Sequence, residues 1–145
     1  MSNLLVQNIK HTNGTTAQTV DTSGRTTVSI MNNDSTFRSD GGAATQNLVQ
    51  GLIKSWNKTT ADGTALEDSF NVSSLTDTNT GQQTINISNN MSNDDYCPTH
   101  SYIDNQTDIA PWIDSVATGS YKQNSYHSGA YIDRKHASSV NGDLA

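Results

Sequence analysis

The chain of 145 residues contains one cysteine, two prolines and few aromatic side chains. Glu67 is its single glutamate. Each scarcity excludes something. A lone Cys97 cannot staple the chain to itself, so no disulfide framework holds the fold. Cys97 is instead expected to pack as a small buried hydrophobe. Low hydrophobicity often signals disorder, but the disordered composition is rich in Pro, Glu and Lys, and this one is not. No stretch of Lys and Arg is longer than Arg134-Lys135, and the formal net charge is −6, which argues against a nucleic-acid partner. No apolar run approaches a membrane span, so no membrane insertion is expected. Met1-Ser2-Asn3 lacks a basic leader and Leu4-Leu5-Val6 is too short for a signal core, so synthesis in a cytoplasm is expected.

Catalytic and metal chemistry is equally thin. The adjacent acid pairs are Glu67-Asp68 and Asp94-Asp95, and neighbours on a strand point to opposite faces, so neither pair forms a two-carboxylate site by itself. No nucleophile-elbow signature is present. His11, His100, His127 and His136 are scattered. The Cys97–His100 spacing is compatible with zinc, but no second pair completes four ligands. In a symmetric trimer one axial histidine per chain would supply three. The expectation is a protein that is not an enzyme and carries no cofactor.

What is abundant is Ser, Thr and Asn, roughly a third of the residues. Thr suits exposed strand faces and Asn suits tight turns. Apolar residues recur in short alternating bursts. Leu4, Val6 and Ile9 lead to a turn at Asn13-Gly14, Val20 to a turn at Asp21–Arg25, and Val28 and Ile30 close a third strand. Residues 32–44 read as a connector rich in turn clusters, with Phe37 as its large apolar anchor. Leu48, Leu52, Ile53 and Trp56 fit helical spacing, but a strand over Leu52–Asn57 is favoured, with Trp56 in the core. Ser69–Leu75 is expected as a strand with Phe70, Val72 and Leu75 inward, turning at Asp77–Gly81 into Thr84–Ser88. Strands are expected at Tyr96–Ile103, loosely at Tyr121–Asp133 and at Ser138–Leu144, with Ile109–Val116 either loop or short strand. Short strands at this spacing suggest an all-β sandwich. With 32% hydrophobic residues, a single chain has little with which to fill a core, so other copies of the chain are expected to complete it.

The run Leu5-Val6-Gln7-Asn8-Ile9, His11–Ala17 and Val20–Arg25 resembles the start of tail fibre-like proteins of tailed bacteriophages, of the marine type. Gly51–Trp56, Asp68–Asp77, Gly81, Thr84–Ile87, Met91–Asn93, Tyr96 and Val140–Ala145 resemble the domain that often follows. The likeness thins after Cys97 and departs at Asn57–Leu66. It implies a virion component of the phage tail, a homotrimer assembled in the host cytoplasm; other tail proteins are the expected partners, and host surface glycan is a candidate partner on the aromatic residues of the C-terminal third.

The resulting expectation is all-β. A small N-terminal strand-and-turn unit (1–31) serves attachment or trimerisation through Leu4, Val6, Ile9, Val20, Val28 and Ile30. A connector (32–44) follows, then a β-sandwich-like domain (45–145), the whole completed by homotrimerisation. Trp112, Tyr121, Tyr126 and Tyr131 sit among Asn, Ser and Asp and either contact glycan or pack in the core or between subunits. A purely structural adaptor, knob or decoration subunit is the alternative function, and a polysaccharide depolymerase a more distant one.

Overall fold

The structure is a computed structural model. It describes residues 8–10, 12–14, 16–28, 30–31, 35–38, 45–103 and 109–145, with the side chains of Phe37, Arg38, Gln46 and Ile109 excepted. Leu4, Val6, His11 and the Phe37 side chain therefore lie outside the described residues. The chain divides into two compact units, Met1–Val49 and Gln50–Ala145.

The first unit contains β1 (Asn8–Lys10), β2 (Thr16–Val20), β3 (Thr26–Val28), β4 (Thr36–Arg38) and β5 (Thr45–Asn47). Strands β1, β2 and β3 form an antiparallel sheet in that order, and β4 pairs with β5. Part of the expected connector thus carries a ladder of its own. The turn between β2 and β3 is fixed by Asp21, whose carboxylate accepts the Ser23 and Arg25 amides at 2.9 Å each and the Arg25 Nε at 2.7 Å. The Arg25 amide first, then its guanidinium, holds the Asp21 carboxyl below its ordinary range. Ile9, Gln18 and Val28 stand in one cross-strand row, and Val20 lies two residues along β2 on the same face. That face is left open within the unit: Ile9 is 53% exposed and Val28 51%.

After one helical turn, α1 (Leu48–Gly51), the second unit runs β6 (Ile53–Thr59), β7 (Leu66–Phe70), β8 (Val72–Asn79), β9 (Gln82–Ile87), β10 (Cys97–Tyr102), β11 (Ile109–Ala117), β12 (Ser120–His127), β13 (Ala130–Tyr131) and β14 (His136–Asn141). Two antiparallel sheets result. The first has the order β10-β14-β6-β7; the second has the order β11-β12-β9-β8, with β13 also pairing β12. Both prolines, Pro98 on β10 and Pro111 on β11, sit on edge strands, where a missing N–H breaks no interior ladder.

The expected strand at Ser69–Leu75 is two strands in two sheets. Asn71 adopts φ 55° and lets the chain leave the first sheet and enter the second. Its amide nitrogen donates to the Lys54 carbonyl at 2.9 Å and its amide oxygen accepts the Asn89 backbone N–H at 2.8 Å. The switch corrects the expectation for Phe70: it belongs to β7, opposite Trp56 on β6, and both face outward. Phe70 is 54% exposed and Trp56 36%, so neither is core. Strand parity is the reason, because β6 directs Ser55, Asn57 and Thr59 inward and Trp56 the other way. Cys97, expected buried, is exposed because it lies on the outward face at the end of an edge strand.

The interior between the sheets is small and unusually polar. Ile85, Ile87, Met91, Tyr96, Tyr121 and Val140 form the apolar cluster, with Val72, Leu75, Ile113 and Val116 packed on it. Beside it runs a chain of side chains in which Asn57 Nδ2 donates to Tyr121 Oη at 2.8 Å and to Ser138 Oγ at 2.6 Å. Tyr121 Oη lies 2.6 Å from Ser138 Oγ, which donates to Gln123 Oε1 at 3.1 Å, and Gln123 Nε2 donates to Gln83 Oε1 at 2.7 Å. These contacts join β6 and β14 of one sheet to β12 and β9 of the other. Buried polar groups are tolerated when they bond to one another in this way.

Candidate functional site

The sequence singled out four aromatics of the C-terminal third, and the structure separates them three to one. Tyr121 is fully buried between the sheets, where burial pushes its phenol up to about 12. It is a core residue. Trp112, Tyr126 and Tyr131 lie together on the opposite, outward face of the second sheet. Register places them there: Tyr121 and Gln123 point between the sheets, so Asn124 and Tyr126 point away. Trp112 is the partner of Asn124 across β11, and Tyr131 is the partner of Tyr126 across β13. The three rings make a corner, with centroids 6.1 Å apart for Trp112–Tyr126, 5.7 Å for Trp112–Tyr131 and 5.4 Å for Tyr126–Tyr131. Tyr126 and Tyr131 stand at 87° to each other, an edge-to-face pair.

The corner is also a roof. β11 and β13 flank β12 on opposite sides, and neighbouring strands lie about 4.8 Å apart, so their backbones are roughly 10 Å apart. The rings of Trp112 and Tyr131 nonetheless approach to 5.7 Å, so both lean over β12. Asn124 lies on that side of β12 and is fully buried. Among the described residues, neither its amide nitrogen nor its amide oxygen has a hydrogen-bond partner. Sequence reasoning missed Asn124, because one Asn among many carries no signal of its own. Its only legible mark is its parity with Tyr126.

The outward face of the first sheet differs. Trp56 and Lys58 on β6 and Thr99 and Ser101 on β10 wall a shallow trough of about 410 Å³ floored by Ala137 and Ser139 on β14. Phe70 lies beside Trp56 across the ladder. Glu67 is bridged by Lys135 and, at 2.9 Å, by Lys58. Lys135 first and Lys58 second hold its carboxyl below the ordinary range. The glutamate is thus kept as an anion, whereas a glycosidic general acid must hold its proton.

The Cys97–His100 spacing brings no ligands together, since the two residues sit on opposite faces of β10. Among the described residues no three His, Cys, Asp or Glu side chains converge. His100 instead meets His136 inside, with Nε2 2.5 Å from Nδ1 and the rings stacked at 4.7 Å. The ring of Tyr102 lies against both. Burial pulls His100 down to about 4, and burial together with His100 pulls His136 down to about 3. Both rings are neutral in neutral solution. No helix among the described residues is long and apolar enough to cross a membrane. Of the attachment-unit residues, Ile9, Val20 and Val28 share one face, while Ile30 lies beyond β3 and is 87% exposed.

No protein-family model, curated protein or solved structure matches the chain.

Proposed function

We propose that the chain is a tail fibre-like virion protein of a tailed bacteriophage, a non-enzymatic subunit that assembles with copies of itself and recognises the host surface. The observation that carries the assembly half is the inverted dressing of the sheets. Asn57, Gln83, Gln123 and Ser138 share the interior of the second unit with a small apolar cluster, while Trp56, Phe70, Ile9 and Val28 are exposed on sheet faces. Single exposed apolar residues are ordinary, but rows of them on sheet faces mark surfaces that something covers. The sheet of β1, β2 and β3 presents Ile9 and Val28 on one face, on either side of Gln18, and strands this short gain stability from cover on that face. A symmetric homotrimer supplies it from identical chains. The turn and strand motifs that resemble phage tail fibres support the particle assignment. The recognition half rests on the aromatic corner of Trp112, Tyr126 and Tyr131, which joins ring faces to a polar strand surface.

A purely structural joint between larger tail proteins shares the same assembly faces. The two differ in the aromatic corner, which a joint does not need. Immunogold labelling of intact particles with antibody to this chain tests the proposal. Label at the tail supports it; particles that carry no label overturn it. Adhesion of the purified protein to host cells then separates the adhesin from the joint.

A further inference from the structure

We propose that the roofed site over β12 binds a neutral pyranose ring, with Asn124 as the residue that selects it and Trp112 as the surface on which it stacks. The inference deepens the recognition half of the function proposed above and rests on that reading for its biological setting. Its starting point is an anomaly. A fully buried amide with no partner at either polar atom works against folding, because both atoms have left water and gained nothing. Such groups persist in folded proteins where function needs them. Here the orphaned amide lies on the outward-facing side of β12, directly across the ladder from Trp112 and closed off from solvent.

The chemistry of the site selects the ligand class. An amide offers one acceptor and two donors side by side, and two vicinal hydroxyls offer the same functions in reverse. A pyranose also has an apolar C–H face that packs on an aromatic ring. Gln82, the partner of Asn124 on β9, and Thr84 two residues along present further polar groups on the same side. The net charge of −6 disfavours anionic sugars and nucleic acid.

Entry requires the roof to open, and the structure provides a yielding edge. Tyr131 sits on a two-residue strand held to β12 by two residue pairs. The turn before it, Ser128-Gly129, has positive φ at both positions, as a tight hairpin turn demands. Tyr131 is already 43% exposed. Moving it opens the ring corner at Tyr126, two residues along β12 from Asn124, and leaves Trp112, the partner of Asn124 on the longer β11, as the stacking surface.

The test is saturation-transfer NMR with the full chain against a panel of neutral hexoses and N-acetylhexosamines, each free and as short oligomers. The same measurement is made on Asn124→Leu and Trp112→Ala. The expected result is transfer to at least one sugar, with affinity reduced roughly tenfold or more in each variant. Asn124→Leu also has a readout independent of binding: a leucine of similar size removes two orphaned polar atoms, so the variant melts above the wild type. Should Trp112→Ala fail to fold, the leucine variant decides alone. No transfer to any neutral sugar overturns the proposal, as does unchanged sugar binding by Asn124→Leu or preferential binding of an apolar peptide at the same rings. Tail labelling without sugar binding removes this site and keeps the particle assignment; sugar binding that Asn124→Leu abolishes, in a protein absent from particles, does the reverse.

Discussion

The stacked pair His100–His136 makes a quantitative prediction about acid. Both rings are neutral in the folded chain, with His100 at about 4 and His136 at about 3, whereas a histidine in an unfolded chain titrates near 6.5. A native value below the unfolded one means that stability is fully present above about pH 6.5 and falls as the unfolded chain takes up protons that the native chain refuses. Between about pH 7.5 and pH 5 each ring forfeits about 2 kcal/mol, so the pair together loses about 4 kcal/mol. A domain has about 5–15 kcal/mol in total, so the loss is a large fraction of it. The carboxylates do not obscure this window. Glu67, Asp21 and Asp62 are held below their ordinary values, so their contribution is lost at lower pH, below about 4.5. The assay is urea unfolding at fixed protein concentration, followed by tryptophan fluorescence. Trp56 and Trp112 are the only tryptophans and both lie in the second unit, so the signal reports that unit alone. The free energy should fall by about 1.7 kcal/mol per pH unit in the middle of the window, steepening toward about 2.5 kcal/mol per pH unit at its acid end. The double variant His100→Gln, His136→Gln should lose that slope. A stability that stays level down to about pH 5, or a double variant that keeps the wild-type slope, refutes the reasoning.

Gly81 has φ +66°, and an added Cβ would lie 2.6 Å from the Ile132 amide and 2.7 Å from the Ser125 carbonyl; Gly81→Ala should cost more than about 2 kcal/mol in urea unfolding. Tyr121→Phe removes a buried hydroxyl bonded to both Asn57 and Ser138 and should cost about 1–2 kcal/mol by the same measure. At the sheet switch, Asn71→Gly keeps the φ of 55° accessible but loses the side-chain bonds, whereas Asn71→Ala loses both; thermal melts should rank Asn71 first, Gly second and Ala last. Trp56→Ser with Phe70→Ser should change the stability of the second unit by under about 1 kcal/mol while weakening self-association seen by sedimentation velocity.

The turns were the most legible part of the chain. Asn13-Gly14, Asp21–Arg25 and the glycine at position 81 each name a backbone geometry that only certain residues adopt, and each turn is where its residues place it. Alternation on β9 was legible too, since Ile85 and Ile87 both face the core. The break at Asn71 was not, because an asparagine at positive φ inside an apolar alternation looks the same as one on a continuous strand. The inward direction of β6 was also hidden. A rule that puts large apolar residues inside assigns Trp56 to the core, but the interior here is closed by hydrogen bonds among Asn57, Tyr121, Ser138 and Gln123. Of the candidate site, Trp112, Tyr126 and Tyr131 could be named from composition. Tyr121 could have been set apart by parity, being an odd number of residues from Tyr126 on one strand. Asn124 needed coordinates, because its peculiarity is a missing partner.

The claim on which the account turns is that copies of this chain cover each other's apolar sheet faces. Light scattering coupled to size exclusion at micromolar concentration tests it most directly. The account predicts one species near three times the 15.6 kDa of a single chain. A well-folded species of 15.6 kDa, unchanged as concentration rises, contradicts it.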